Sequence, residues 1–337
     1  MVKVALIGAG KMGISHLSIL GAHPNVEVVG VSDTSKMVID VFKKYSLFPC
    51  FIDYEEMLRT AKPDAVFVAV PTKYHGSMVK KVLENGNHVF AEKPLCLTPE
   101  EGKQLVDIAK RNSLINQVGY HNKFIGTFQE VKRILDAGYL GEVFHFAGES
   151  YGPVVIKAKQ ETWRSDPSEG GGCLMDYASH VIDLINYILG PITKVNGSIL
   201  KSFYSKNVED AVFSLLELAN KVSGVLSVNW SDETYRKMST SLTILGSKGK
   251  IISDANELKV YFKSSEKPAG YTKGWNVKYI TDLTEPVEFY LRGEEYSSQI
   301  DYFINAVQGK VPNSINNFES AWLTDRVISL IKNSVNN

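Results

Sequence analysis

The chain has 337 residues, 44% of them hydrophobic and 22% charged, which suits two globular domains better than one. Lysine plus arginine equal aspartate plus glutamate at 37 each, so the charge balance favours neither a nucleic-acid partner nor an anionic membrane. The three cysteines lack metal-ligand spacing and no apolar stretch approaches the roughly 20 residues of a transmembrane helix, so we expect a cytoplasmic protein without a metal site.

The first thirty-three residues predict a dinucleotide-binding βαβ unit. An apolar run, Val2–Ile7, leads into Gly8-Ala-Gly10-Lys11-Met12-Gly13 and then a helix that starts near Ile14. A second β-branched run, Val26–Val31, ends just before Asp33. Strand, glycine loop, helix, strand and acid is the order that such a unit requires, with the acid about 20 residues after the loop. The alternative is a tight βα turn in another kind of α/β protein.

Each glycine of this loop has a physical role. Gly8 lets the chain turn sharply, Gly10 leaves room for a pyrophosphate against the backbone, and Gly13 allows close packing of helix on sheet. N–H groups at the helix N-terminus attract the phosphates. A carboxylate at Asp33 accepts the ribose hydroxyls of NAD and repels the 2′-phosphate of NADP, although Lys36 softens that repulsion. We therefore predict NAD over NADP.

Alternating strands and helices continue to about residue 120 and predict a parallel sheet with helices on both faces. Ligands in such sheets bind at the carboxyl ends of the strands, where Thr72, Glu92-Lys93-Pro94 and Tyr120 lie. A cis peptide bond before Pro94 would hold that turn rigidly. The predicted strands are Ala65–Val70, His88–Ala91 and Ile115–Tyr120, and the predicted helices are Lys36–Tyr45, Tyr54–Thr60, Tyr74–Glu84 and one that opens at Thr98.

The pattern changes after residue 121 to several strands with little helix between them, which is typical of a mostly antiparallel sheet. We predict a Rossmann domain over 1–121 and an α+β substrate-binding and oligomerisation domain over 122–337, whose last helix packs back on the first domain. The open face of the second sheet needs cover, so a homodimer or homotetramer is expected. The predicted strands are Val143–Ser150, Lys194–Ser202, Asp210–Leu218, Val222–Trp230, Ser241–Leu245, Lys250–Ser253 and Lys259–Phe262, and the predicted helices are Phe128–Ala137, Cys173–Leu189, Glu294–Val307 and Phe318–Asn333.

Two groups of residues are candidates for chemistry. Asp176 and His180 are four residues apart on one predicted helix, directly after Gly170-Gly171-Gly172, so the carboxylate could orient the imidazole and raise its basicity. Lys93 follows a strand at the cofactor edge, where it could share a proton with a substrate hydroxyl or stabilise a developing alkoxide. A surface His–Asp pair and a solvated loop charge are the structural alternatives.

Taken together, these segments resemble the glucose–fructose oxidoreductase / inositol dehydrogenase family, also called Gfo/Idh/MocA, over essentially the whole chain. The matching blocks are Gly8–Gly13, Glu92-Lys93-Pro94, Trp163-Arg164, Gly170-Gly171-Gly172 and Asp176-x-x-x-His180 with Asp183.

The resemblance implies an oxidoreductase that moves a hydride between nicotinamide and a secondary hydroxyl or ketone carbon of a sugar, cyclitol or nucleotide-linked sugar. It implies a catalytic triad of Lys93, Asp176 and His180. The residues that it implies for the cofactor are Gly8, Gly10, Lys11, Met12, Gly13, Asp33, Pro71, Thr72, His75, Glu92 and Lys93. Those that it implies for the substrate are Lys93, Tyr120, Lys123, Arg164, Asp176 and His180.

The sequence departs from the family pattern at two of these positions. Thr72 stands where the family often has Asn, and Lys123 where it often has Arg, so the fork of a guanidinium is replaced by a point charge. The aromatic-rich segment 267–293 is read as a strand and loop at a dimer contact rather than as a substrate loop.

Two other classes of function compete with a dehydrogenase. One is a glycoside hydrolase that keeps NAD bound and oxidises its substrate transiently, and the other is a non-catalytic NAD-binding regulator. The intact Lys93, Asp176 and His180 argue against the regulator. The sequence names neither the sugar nor the physiological direction of the reaction.

Overall fold

The computed structural model describes residues 1–157 and 162–335. Residues 158–161, within the polar segment 152–169, lie outside the described part. The strands are β1 Val2–Ile7, β2 Val26–Ser32, β3 Cys50–Phe51, β4 Ala65–Val68, β5 His88–Ala91, β6 Asn116–Val118, β7 Val143–Tyr151, β8 Ile192–Lys201, β9 Ala211–Leu218, β10 Ser223–Asn229, β11 Ser241–Gly246, β12 Gly249–Asp254, β13 Glu257–Phe262 and β14 Gly274–Tyr279. The α-helices are α1 Lys11–Ala22, α2 Lys36–Tyr45, α3 Tyr54–Ala61, α4 His75–Glu84, α5 Pro99–Arg111, α6 Gly126–Asp136, α7 Val154–Lys157, α8 Ser179–Leu189, α9 Ile280–Leu283, α10 Glu294–Val307 and α11 Phe318–Asn333.

The chain divides into two compact units. The first comprises Met1–His121 with Pro286–Trp322, and the second comprises Asn122–Glu285 with Leu323–Asn337. The segment 286–322, which the sequence places with the rest of the second domain, is thus grouped with the first unit.

The first unit contains a six-stranded sheet in the order β3-β2-β1-β4-β5-β6, with every neighbouring pair parallel. Alternate residues of its central strands enter two separate cores, one on each face of the sheet. Both faces are covered, which explains why β1, β4 and β5 are near-continuous apolar runs.

Helix α10 belongs to the first unit because its apolar face packs on this sheet. The ring of Phe303 meets Phe67 and Phe90 edge-on, with centroids 5.5 and 5.8 Å away, and the latter two rings stack at 4.6 Å. These three buried aromatic residues fix the returning helix over the middle of the sheet.

The second unit is built on an eight-stranded sheet in the order β14-β13-β12-β11-β7-β10-β9-β8. Neighbours are antiparallel except for the parallel pair β7 and β10. The predicted fold class, a Rossmann-type parallel sheet followed by a large, mostly antiparallel sheet, is confirmed.

One face of this second sheet is exposed and rich in apolar side chains. Cross-strand partners point to the same face, and the register links Ile199 to Phe213 and Leu215 to Val225. The face continues across the sheet to Val277 of β14, through the pairs Val225–Ala147, Ala147–Thr243, Thr243–Ile252, Ile252–Lys259 and Lys259–Val277. The exposed apolar side chains on this face are Ile199, Phe213, Leu215, Val225, Trp275, Val277 and Tyr279.

In the described part of the chain, every helix falls short of the length and hydropathy that crossing a bilayer demands.

Candidate functional site

The glycine loop of the first unit has the geometry of a phosphate site. A Cβ on Gly8, whose φ is +92°, would lie 2.5 Å from the Ala69 carbonyl oxygen, and one on Gly13 would lie 1.9 Å from the Gly8 carbonyl oxygen. A Cβ on Gly10, by contrast, would meet no described atom within 4 Å. Gly8 and Gly13 are therefore required by the protein's own packing, whereas the space at Gly10 faces outward and fits an approaching ligand.

Helix α1 begins directly after this space. Gly10 is its N-cap and offers no side-chain cap, and its first turn carries no acidic residue. The helix N-terminus therefore presents backbone N–H groups and a partial positive charge without a competing carboxylate. These residues fit the pyrophosphate of a dinucleotide.

Asp33 is fixed against the glycine loop. Its Oδ2 accepts from the Ala9 N–H and its Oδ1 accepts from the Ser35 N–H, both at 2.8 Å. Two backbone donors orient the carboxylate and still leave lone pairs for further hydrogen bonds. The side chain is thereby held where a carboxylate can bind ribose hydroxyls.

The loops after β4 and β5 are tied together by His75. Its Nδ1 lies 2.8 Å from the Pro94 carbonyl oxygen and its Nε2 lies 2.9 Å from the Val70 carbonyl oxygen. Burial lowers the pKa of His75, although both carbonyls oppose that shift. The ring, 1% exposed, thus braces the turn that carries Lys93 and Pro94. The Lys93–Pro94 bond is cis, as predicted.

Glu92 has a partner that the sequence analysis missed. His16 of α1 is fully buried beside Phe67 and Phe90, and its Nε2 lies 2.6 Å from Glu92 Oε1. Burial acts to raise the pKa of Glu92, but the hydrogen bond from His16 and the charges of His16 and Lys93 more than offset it, so the pKa is lowered. The helical spacing of His16 from Gly13, which turns both toward the sheet, is the signal that could have identified it.

A second missed group lies where the returning segment reaches this unit. The ring of His121 stacks on Tyr296 with centroids 4.8 Å apart, and burial lowers the pKa of His121 to about 4. Arg292 lies over the same tyrosine ring, 5.1 Å away, and its Nη1 donates to Ser15 Oγ at 3.4 Å. The end of segment 267–293 is therefore placed beside the glycine-loop helix, while its earlier part forms β14 and α9 in the second unit.

In the second unit, the three consecutive glycines make room for the protein itself. A Cβ on Gly171 would lie 2.4 Å from the Arg164 carbonyl oxygen. Gly172 has a φ of +101°, and a Cβ there would lie 2.3 Å from Glu209 Oε1. That carboxylate accepts the Leu174 N–H at 2.9 Å, so Glu209 anchors the start of the next helix.

The segment that carries Asp176 is a π-helical turn, Leu174–Ala178, and α8 follows it. The sequence predicts one regular helix over Cys173–Leu189. The structure differs because the first turn of this stretch is a wider π-helical turn. Single π-turns inside helices occur frequently at functional sites. Asp176 is 4% and His180 3% exposed, so both are buried polar residues of one unit.

Arg164 supports Asp176. Its Nε donates to Asp176 Oδ2 at 2.8 Å, and its guanidinium lies 4.5 Å from the centre of the Trp163 ring. The motif Trp163-Arg164 therefore serves to hold the predicted catalytic carboxylate. Among the described residues, no group of three or more His, Cys, Asp or Glu is arranged to bind a metal.

Two residues predicted to touch the substrate are buried. Tyr120 is 1% exposed and belongs to the apolar core of the first unit, where its carbonyl accepts from Asn316 Nδ2 at 2.7 Å. The side chain of Lys123 is 2% exposed, and its Nζ forms an ion pair with Asp183 Oδ1 at 2.8 Å.

The predicted site residues are divided between the two units. The first unit contains Gly8, Gly10, Lys11, Met12, Gly13, Asp33, Pro71, Thr72, His75, Glu92, Lys93 and Tyr120, and the second contains Lys123, Arg164, Asp176 and His180.

Two models of one protein family match the chain. That described as "Oxidoreductase family, NAD-binding Rossmann fold" covers residues 2–120, and that described as "GFO/IDH/MocA C-terminal domain" covers residues 128–252.

Curated relatives include scyllo-inositol 2-dehydrogenase (NAD(+)) of Bacillus subtilis (strain 168), 32% identical over 58% of this chain and 56% of that protein. D-glucoside 3-dehydrogenase of Escherichia coli (strain K12) is 26% identical over 69% of this chain and 70% of that protein. The alignments span only about half the length of two relatives: 56% of the scyllo-inositol dehydrogenase and 50% of the uncharacterized oxidoreductase C115.03 of Schizosaccharomyces pombe (strain 972 / ATCC 24843).

Solved structures share the fold. Levoglucosan dehydrogenase in complex with NADH superposes with a TM-score of 0.87 at 20% identity, covering 99% of this chain and 96% of the other. The WlbA dehydrogenase from Bordetella pertussis, in complex with NADH and UDP-GlcNAcA, gives 0.79 at 21% identity, with coverage of 99% and 96%.

Proposed function

The chain belongs to the Gfo/Idh/MocA family of oxidoreductases, and from this premise we propose that it is an NAD-dependent dehydrogenase or keto-reductase. Its substrate class is a sugar, cyclitol or nucleotide-linked sugar, and the reacting carbon carries a secondary hydroxyl or ketone. One observation carries the proposal. The same chain contains a glycine loop with room for a dinucleotide, the sequence Glu92-Lys93-Pro94, and the buried residues Asp176 and His180. The scyllo-inositol and D-glucoside dehydrogenases named above support this substrate class.

The residues that would hold the cofactor are those of the first unit. The α1 N-terminus at Gly10 would receive the pyrophosphate, and the carboxylate of Asp33 would accept the ribose hydroxyls. A 2′-phosphate beside that fixed carboxylate is repelled, which favours NAD over NADP. When bound, nicotinamide supplies the ring carbon that exchanges the hydride.

The chain's own residues handle the proton. In the direction of oxidation, we assign His180 the role of accepting the hydroxyl proton. Asp176, held by Arg164, orients that imidazole and binds a neighbouring hydroxyl. Lys93 stabilises the developing alkoxide. Burial of Asp176 and His180 strengthens their electrostatic effect on the substrate.

The test is a screen of free sugars, inositols, glycosides and nucleotide sugars with NAD⁺, monitored by NADH absorbance. Net NADH formation is the expected result. Release of an aglycone without net NADH would instead identify the NAD-dependent hydrolase. Binding of NAD without turnover of any compound, in either direction, would identify the non-catalytic regulator.

His180 gives the sharpest variant for this function. We expect His180→Ala to lower kcat by about 10²–10⁴-fold, because general-base catalysis is lost, while NAD still binds. Fluorescence titration of the cofactor and initial rates with the best substrate of the screen measure the two effects. His145→Ala on β7 is the matched control and should leave both unchanged. Unchanged turnover in the His180 variant would remove this residue from its assigned role.

We further propose that the chain assembles as a homodimer or homotetramer through the exposed face of the second sheet, since this face carries seven exposed apolar side chains. We also propose a cytoplasmic location, because Cys50, Cys96 and Cys173 form no disulfide bonds, as is usual in a reducing compartment.

A further inference from the structure

The second unit contains a buried ion pair, formed by Lys123 and Asp183. The Nζ and Oδ1 atoms are 2.8 Å apart, and the two side chains are 2% and 1% exposed. Removing two charges from water is costly, and apolar residues of similar volume often stabilise such a position equally well. A contribution to stability therefore does little to explain why the chain has this ion pair. The position of the pair on α8 has to be considered instead.

Asp183 lies three residues after His180 on α8, so both residues share one stretch of the helix. Lys123 reaches it from the 3₁₀ turn His121–Phe124, and Thr324 Oγ1 of α11 donates to the same Oδ1 at 3.5 Å. The Lys123 ammonium also lies 5.4 Å from the centre of the Tyr187 ring, one turn further along α8. Two other elements are thus joined to α8 just after His180.

The pair leaves no room for a substrate contact by Lys123. Its ammonium is directed at Asp183 and Tyr187, and the side chain is almost completely enclosed. In the described part of the chain, Asp183 Oδ2 is buried and has no hydrogen-bond partner. A lysine is a point donor that reaches one carboxylate oxygen, whereas an arginine fork can reach both.

We propose that Lys123 and Asp183 are a positioning pair that fixes the orientation of α8 and, through it, of His180. Lys123 then acts on the reaction through Asp183 and not by touching the sugar. This inference rests on the proposed role of His180 as the proton acceptor.

Kinetics of four variants test the pair. Lys123→Met and Asp183→Asn should each lower kcat on the order of 10²-fold with KM nearly unchanged, since small displacements of a catalytic group have effects of this size. The double variant should lose no more than either single variant, because the two residues act as one unit. Lys221→Met, which breaks the exposed pair with Glu217 in the same unit, is the matched control and should behave as wild type.

Rescue separates positioning from a general packing role. Lys123→Arg keeps the charge and offers a second N–H to Asp183 Oδ2, so it should retain most of the wild-type kcat. A variant with raised KM and unchanged kcat would overturn the proposal, because it would mean that Lys123 contacts the substrate. If Lys123→Met does not fold, the same comparison of kcat and KM with wild type is made with Asp183→Asn, because asparagine preserves the shape of the side chain and one acceptor oxygen.

A substrate-free readout keeps this test separate from the proposed function. NMR titration of ¹³C-labelled histidines, with His180 assigned from its alanine variant, should show a shifted midpoint for His180 in Asp183→Asn and an unshifted one for His145. An unchanged His180 midpoint would overturn the pair's role. If the wild-type chain turns over no sugar, the proposed function fails, and the titration still decides whether the pair positions His180.

Discussion

At the scale of single residues, Asp33 serves two tasks at once. Its two oxygens accept from Ala9 and Ser35, so the same carboxylate that would select the cofactor also shapes the glycine loop. Selectivity and loop geometry cannot then be changed independently. A substitution that removes the charge also disturbs the hydrogen bonds that hold the phosphate-binding turn.

Asp33→Asn should therefore have a mixed effect. The amide keeps one acceptor oxygen, so one backbone N–H loses its partner and affinity for both cofactors falls. Loss of the negative charge removes the repulsion of a 2′-phosphate, so the ratio of NADP to NAD affinity should rise about tenfold. Fluorescence titration of both cofactors against wild type measures the ratio, and an unchanged ratio would contradict the role assigned to the charge.

Asp183 gives the chain a stability term that depends on pH. Burial raises its pKa to about 6, and Lys123 opposes the rise without cancelling it. The unfolded carboxyl titrates near 3.8, so between these values the folded state binds the proton more tightly. The resulting stabilisation is complete below the lower value and is lost as pH rises through the higher one.

We expect wild type to gain on the order of 3 kcal/mol relative to Asp183→Asn as the pH falls from about 7 to about 4. Urea unfolding at several pH values measures the difference between the two proteins in the free energy of unfolding. A constant part of that difference does not affect how it changes with pH. A difference that stays level would show that Asp183 titrates near its unfolded value, and a wild-type advantage that grows as the pH rises would show that folding lowers its pKa.

The residues of the glycine loop could be predicted because their chemistry is local: three glycines and an acid have fixed places along 33 residues. For His16, helical spacing indicates only the buried face, and its partner could not be predicted, since Glu92 lies 76 residues away in sequence. Lys123 illustrates the same limit. The family resemblance implies contact with the substrate, whereas the fold buries its side chain against Asp183.

At the scale of elements, Gly171 joins the loop before α8 to the helix itself. The chain's own Arg164 carbonyl occupies the position where a side chain would begin. Three consecutive glycines indicate a place where another group approaches the backbone closely, and at Gly171 that group is the protein's own backbone. A sequence pattern reports that space is needed and does not report what fills it.

Gly171→Ala should lower the free energy of unfolding by about 1–3 kcal/mol, as overpacking does, and should lower kcat through displacement of Asp176. Gly21→Ala in α1 is the control, because a Cβ there meets no described atom within 4 Å. The control should be neutral or up to about 1 kcal/mol more stable, since alanine favours helix. Thermal unfolding and initial rates measure both; wild-type stability of the Gly171 variant would show that the loop can yield.

Most long elements followed their periodicity, because an apolar stripe fixes both element type and buried face. Departures occurred where the local signal is short or absent. The two-residue β3 and the 3₁₀ turn Thr72–Tyr74 contain too few residues to show a period. The π-turn at Leu174–Ala178 is set by bonds to Glu209 and Arg164, which tertiary structure alone brings there.

At the scale of the whole molecule, the path of the chain was the feature least visible in sequence. Segment 286–322 returns to the first unit through Phe303, whose aromatic contacts lie more than 200 residues earlier. The helical period of α10 predicted a buried stripe but carried no information about its partner. The open sheet face, by contrast, follows from strand alternation alone, since every second residue from Phe213 in β9 points outward: Phe213 and Leu215 are exposed and Glu217 is partly exposed.

That open face yields a prediction about assembly. On β8, β9 and β10 this face carries a row of apolar side chains, Ile199, Phe213, Leu215 and Val225, which we call the apolar row. Leu215 is 54% exposed near the middle of the apolar row, so a second copy that covers the row would bury it. Leu215→Glu should then dissociate the oligomer, because an unpaired charge at a buried interface is strongly disfavoured. Leu47→Glu is the matched control: Leu47 is a fully exposed leucine in the loop between α2 and β3 of the first unit. Size-exclusion chromatography with light scattering should give an oligomer for wild type and the control and a monomer for Leu215→Glu. A monomeric wild type would contradict the proposed oligomer, and an oligomer that survives Leu215→Glu would show that assembly uses another surface.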